Sequence, residues 1–121
     1  MSDVNSYQDL LVWNQAIDLA TAIYSSTRSW PKEEQYGLTQ QARRAAVSVP
    51  ADIAEGYGRE ARGSYVQFLR ISQGSLKELE THLIIARRTG VAGEEQIKDL
   101  IQQCESVGKL LRLLIRKLSA A

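Results

Sequence analysis

One cysteine and one histidine stand in 121 residues, and prolines number only two. With Cys104 alone, no intrachain disulfide can form, and with His82 alone there is no repeated Glu-x-x-His pattern of the kind that holds di-metal sites in helical bundles. Glu78 lies one helical turn before His82, yet that pair supplies at most two ligands, short of the four of a structural zinc site. No apolar run approaches the ~18 residues of a membrane span, and no basic-then-apolar leader opens the chain. The expected setting is reducing and cytoplasmic. A nucleophile elbow, a phosphate-binding glycine loop and a Cys-x-x-Cys motif are also missing. Gly56-Tyr57-Gly58 ends a helical stretch and reads as a tight turn. These absences argue against an enzyme, and no metal or cofactor is expected.

An excess of charge of one sign is lacking too, since 15 lysines and arginines face 14 acids for a net charge of +1. Any contact with a polyanion must therefore come from how charge is distributed. The first twenty residues hold Asp3, Asp9 and Asp18 and no base, whereas the last sixteen hold Lys109, Arg112, Arg116 and Lys117 and no acid.

What the chain does have is helical periodicity. Leu10, Trp13, Ile17, Ala20 and Tyr24 recur at spacings of three and four, which predicts a first helix over about residues 9–28, capped by Asp9 or a nearby polar residue. Pro31 ends it at Trp30 and can start a short turn through Lys32, Glu33 and Glu34. Leu38, Ala42, Ala45, Val49 and Ile53 mark a second helix over about residues 37–58. Pro50 inside it removes a donor and crowds the carbonyl of Ala46, at a cost of ~3 kcal/mol unless packing compensates. Because the stripe keeps phase across the proline, a kinked continuous helix is expected.

A third helix over about residues 64–89 is predicted by Leu69, Ser72, Leu76, Leu79, Leu83 and Ala86, with Ser64 and Gln67 at capping-box spacing and Gly90 as C-cap. Arg87 and Arg88 suit the negative end of its dipole. A fourth over about residues 94–118 follows from Ile97, Leu100, Cys104, Val107, Leu111, Leu114 and Leu118, with Glu94 and Glu95 at its N-terminus. Cys104 on that stripe reads as packing. Four helices with short links in one domain spanning residues 1–121 make an all-α, antiparallel up-down-up-down four-helix bundle.

Some residues exceed what a lone bundle needs. With Leu111 at zero and about 100° per residue, Leu110 falls near −100° and Leu113 near 200°, so the fourth helix carries a second apolar face. Such a face marks an association site. Gly74 costs ~1 kcal/mol against alanine in a helix, which suggests that a side chain there would collide with a neighbouring helix or subunit. Leu110, Leu113 and Gly74 are therefore the candidate oligomer contacts.

Basic residues are the remaining functional candidates. Lys109, Arg112 and Arg116 fall between about 100° and 160° on the same wheel, an outward line suited to phosphates. Arg43, Arg44, Arg59, Arg62 and Arg70 form a second group, interrupted by Asp52, Glu55 and Glu60. Glu55 and Arg59 are four apart, so an ion pair is the structural alternative for both. Arg43 and Arg44 point in different directions, and only one readily faces away from the core. Tyr57 and Tyr65 could stack on bases or seal a core edge.

Read together, Asp9-Leu-Leu-Val-Trp13, Tyr36-Gly-Leu38, Gln41-Ala-Arg-Arg-Ala-Ala-Val-Ser48, Pro50, Ile53-Ala-Glu-Gly56, Gly58-Arg59, Phe68-Leu69, Gly74-Ser75 and Glu78-Leu79 resemble the four-helix-bundle family of 23S rRNA intervening-sequence proteins. Asp52 departs from the usual asparagine before Ile53. The resemblance implies a ring-shaped homopentamer, similar in fold to the accessory variability protein of diversity-generating retroelements, and it implies contact with RNA or DNA. A ring repeats a short basic line on every subunit, and linked weak contacts gain avidity. The expected function is a non-enzymatic homo-oligomeric bundle that binds nucleic acid through Lys109, Arg112 and Arg116, with Arg43, Arg44, Arg59 and Arg62 behind them. The alternative is a scaffold or accessory subunit that docks a protein partner.

Overall fold

Four helices run through the computed structural model, which describes residues 4–120; Asp3 of the acidic N-terminal stretch lies outside them. They are α1 (Leu11–Thr27), α2 (Leu38–Tyr57), α3 (Arg62–Arg88) and α4 (Glu94–Ser119), and no strand occurs among the described residues. Single 3-10 turns, Tyr7–Asp9 and Lys32–Glu34, precede α1 and α2. The second of these is the turn expected after Pro31.

Each helix packs on its neighbour in sequence and α4 returns to α1, so the bundle is closed. The links set the directions. Trp30 and Ser26, after and at the end of α1, both bond to Gln96 in the first turn of α4, while at the far end the Tyr57 hydroxyl at the end of α2 donates to the Val4 carbonyl. Each of these pairs joins a helix exit to a helix entry, which is the signature of antiparallel neighbours.

The core follows the apolar stripes of α2, α3 and α4. Ala42, Ala45, Val49 and Ile53 are buried on α2, all six expected residues from Leu69 to Ala86 are buried on α3, and Ile97 through Leu111 are buried on α4. At the end of α4, Ile115 takes the buried place and Leu114 and Leu118 pack on the rim.

Helix α1 corrects the sequence reading. Its buried residues are Val12, Ala16, Leu19, Ala20, Ile23 and Thr27, so the stripe lies to one side of the one drawn through Trp13, Ile17 and Tyr24. Both stripes have helical spacing, and the larger side chains were the misleading ones. Trp13 instead packs edge-on against Tyr7 with centroids 5.2 Å apart, and Tyr24 is 41% exposed, with its ring 4.6 Å beneath the Arg43 guanidinium.

Two caps differ as well. Asp9 does not cap α1; its carboxylate accepts from the amides of Asn5 and Ser6 at 2.9 and 3.2 Å, closing a capping box on the preceding turn. Ser64 and Gln67 do not cap α3 either, because that helix starts two residues earlier behind Ala61, which makes no side-chain cap bond. In the first turn of α3, Tyr65 docks on the end of α2, where its ring meets Tyr57 at 6.0 Å. The C-terminus of α3 matches expectation. Gly90 has φ 77°, the Val91 amide bonds the Ala86 carbonyl at 2.9 Å and the Gly90 amide bonds Arg87 at 3.2 Å, a Schellman closure.

Helix α2 remains one helix through buried Pro50. Beside the proline, the buried Ser72 hydroxyl of α3 donates to the Val49 carbonyl at 2.9 Å. The alanine face of α2 lets α3 approach this closely, and a buried hydroxyl left without such a partner would cost about 1–3 kcal/mol.

Candidate nucleic-acid interface

Helix α4 presents its basic residues because its core stripe points the other way. Lys109, Arg112 and Arg116 are exposed within its last three turns, and none lies within 4 Å of a carboxylate among the described residues. Lys117 is exposed beside them, and Glu105 is the nearest acid in sequence. In the last turn, Arg116 and Lys117 also meet the favourable end of the dipole. Arg112 borders a groove between α3 and α4 of about 280 Å³, together with Gln73, Gly74, Lys77 and Gly108. One predicted basic residue and one predicted oligomer contact thus share a groove.

The second basic group separates into different roles. Arg43 is turned into the structure, donating from Nε to Thr27 Oγ1 at 2.8 Å and stacking on Tyr24, so it ties α2 to α1. Arg59 bonds Glu55 at 3.1 Å and lies 4.7 Å over the Phe68 ring. The ion-pair alternative therefore describes its geometry. Arg44, Arg62 and Arg70 are exposed and carry no ion pair among the described residues. Arg62 opens α3, where a positive charge opposes the helix dipole unless an anion is near.

The expected oligomer contacts also diverge. Leu113 is 48% exposed, whereas Leu110 is half-buried against the core. A Cβ on Gly74 would meet nothing within 4 Å, so the expected collision with a neighbouring helix is absent. The close approach occurs at Gly56 instead, where a Cβ would lie 2.7 Å from the Phe68 Cβ and 3.2 Å from the Tyr65 carbonyl.

Burial, and next the nearby Glu80, push the Cys104 thiol up to about 12, which keeps it protonated at neutral pH. Burial and then Tyr57 raise Tyr65 above its ordinary value. Burial, with Glu55 adding, raises the Asp52 carboxyl. Glu78 Oε1 lies 3.8 Å from His82 Nε2, and no group of three or more potential metal ligands occurs among the described residues. No helix among those residues is long and apolar enough to cross a membrane.

The model of 23S rRNA-intervening sequence proteins matches residues 8–113. The chain belongs to that family. Among solved structures, the crystal structure of a protein of unknown function from the S23 ribosomal protein family of Bacteroides thetaiotaomicron superposes with a TM-score of 0.79. It is 22% identical, over 87% of this chain and 98% of that one, a likeness that shows the fold. Among curated proteins, no sequence matches. Family membership accounts for the four-helix architecture and for the ordered motifs from Asp9 to Leu79.

One group escaped the sequence reading. Tyr36, Gln40 and Arg44 step by four residues into and along α2, and they share a concavity with Gln41, Glu78 and His82. The four-residue step was visible, but the α3 wall opposite it was not.

Proposed function

We propose that this family member is a non-enzymatic homo-oligomeric bundle that binds nucleic acid, RNA in particular, through a basic surface repeated on each subunit. The observation that carries the reading is the exposure of Lys109, Arg112 and Arg116 in one line without a carboxylate partner among the described residues. Arg44 and Arg62 add exposed charge, whereas Arg43 and Arg59 serve the fold first. A few phosphate contacts per subunit bind weakly, and repetition around a ring multiplies them.

Exposed apolar side chains support self-association. Leu11 on α1, Val47 on α2, Ile71 and Ile85 on α3 and Leu113 on α4 are all exposed. Exposed apolar side chains on every helix leave surface for a head-to-tail contact, which closes into a ring when the rotation permits. The pentameric count rests on the family resemblance.

Fluorescence anisotropy with single-stranded RNA tests the binding. Charge reversal of Lys109, Arg112 and Arg116 together should weaken binding to all sequences and lower the slope of log affinity against log salt by about one per residue removed. Unchanged affinity, or binding indifferent to salt, overturns the reading. A defined protein retained after nuclease treatment, with no RNA bound, would replace it with the scaffold role. Light scattering tests the assembly, and Leu113→Glu should shift it toward monomer.

A further inference from the structure

The polar end of α2 presents a site that the α4 line does not include. Tyr36, Gln40, Gln41 and Arg44 face Glu78 and His82 of α3 across a concavity of about 440 Å³. Tyr36 and Arg44 also border a hollow of about 350 Å³ toward Tyr24, and Gln41 and His82 border one of about 660 Å³ toward Gly90. Tyr36 is thus surrounded by open space. Its side chain is 83% exposed and pairs with no other ring among the described residues.

The lining of the central concavity has a particular chemistry. It holds an aromatic ring, two amides, a guanidinium, an imidazole and a carboxylate, and no aliphatic side chain. Anchor pockets for protein partners are apolar at their centre, so this composition fits a protein side chain poorly. It fits an unpaired nucleotide well. Bases stack on aromatic rings, side-chain amides read their edges, and an arginine holds the phosphate.

Glu78 narrows the choice. A carboxylate beside a phosphate is unfavourable, but toward a base it accepts from an exocyclic amino group, as acidic side chains do from cytosine N4. Uracil presents a carbonyl oxygen at that position and would be repelled. At 3.8 Å from His82, the Glu78 oxygen is beyond an ordinary hydrogen bond and is available to such a donor.

We propose that this groove seats a single-stranded nucleotide whose base bears an exocyclic amino group, with the base stacked on Tyr36, its amino group on Glu78 and its phosphate on Arg44. The assignment rests on the nucleic-acid reading above and adds base selection to it. The groove lies at the N-terminal end of α2, whereas the α4 line lies near the C-terminal end of that helix. The groove draws its residues from the start of α2 and from α3 and the line from α4, so the two sites can be altered by separate substitutions.

The test uses anisotropy with labelled hexacytidylate and hexauridylate RNA, which carry the same phosphates. The unaltered protein should bind the cytidylate about tenfold more tightly. Tyr36→Ala should weaken cytidylate binding about tenfold, as expected for losing one stacked base. Glu78→Gln should bring the two RNAs within about twofold of each other, because an amide can donate to uracil as readily as it accepts from cytosine. Circular dichroism melts confirm that both variants fold. Equal affinity of the unaltered protein for the two RNAs overturns the proposal. So do Tyr36→Ala and Glu78→Gln variants that bind like the parent, and if charge reversal on α4 abolishes binding in that case, the general reading survives alone. No binding of either RNA, even at low salt, overturns both.

Discussion

Gly56 at the end of α2 lies so close to Phe68 of α3 that a methyl group on the glycine would sit 2.7 Å from the phenylalanine Cβ. Neither partner can yield easily. The added carbon would also stand 3.2 Å from the backbone carbonyl of Tyr65, and Arg59 covers the Phe68 ring from above. One glycine therefore sets how α2 turns into α3 and where Tyr65 and Arg59 come to rest.

Gly56→Ala should destabilise the protein by about 2–3 kcal/mol, in the range for overpacking a core. Gly74→Ala is the control, because nothing stands within 4 Å of its added Cβ and alanine is the better helix former by ~1 kcal/mol. Urea denaturation checks both. A Gly56→Ala protein as stable as the parent would refute the close-packing account.

Gln96 joins the α1–α2 link to α4 by accepting from the Trp30 indole at 3.1 Å and donating to the Ser26 carbonyl at 3.3 Å. Gln96→Leu removes both bonds and leaves the indole N–H of buried Trp30 without its partner, for an expected loss of about 1–3 kcal/mol. Urea melts followed by tryptophan fluorescence measure it.

Asp52 carries a raised pKa in the folded chain, so the native state holds its proton more tightly than the unfolded one. Stability from this group is present below the ordinary carboxylate pKa and falls as pH rises through the folded value. Asp52→Asn should then raise the neutral-pH melting temperature and flatten the decline just above the ordinary carboxylate range. A lower melting temperature at neutral pH would show that the charged form is favoured instead.

Cys104 should not react with Ellman's reagent at pH 8 in the native protein, since its thiol is fully buried and its pKa is pushed up to about 12. Reaction should follow global unfolding and speed up with added urea. Rapid labelling without denaturant would contradict the packing role.

Helix number, type and links were legible in the chain because they are local properties. Period, proline and glycine placement determine them within a few residues, and for α2, α3 and α4 the same period named the buried face. In α1 it did not, since two stripes share the spacing and only the azimuth at which α2 and α4 meet the helix chooses Val12, Leu19 and Ile23 over Trp13 and Tyr24.

What crosses between helices was decided by tertiary structure. Within the chain the short helix–helix distance falls at Gly56 and not at Gly74, because approach depends on where two helix axes cross. The sequence could say that Arg43 and Arg44 must diverge, and the fold decided that Arg43 turns toward Thr27 while Arg44 stays exposed. The outward line of Lys109, Arg112 and Arg116 was readable as the side of α4 opposite its core stripe. The groove around Tyr36 was not, since Glu78 and His82 in its wall come from α3, about forty residues along the chain.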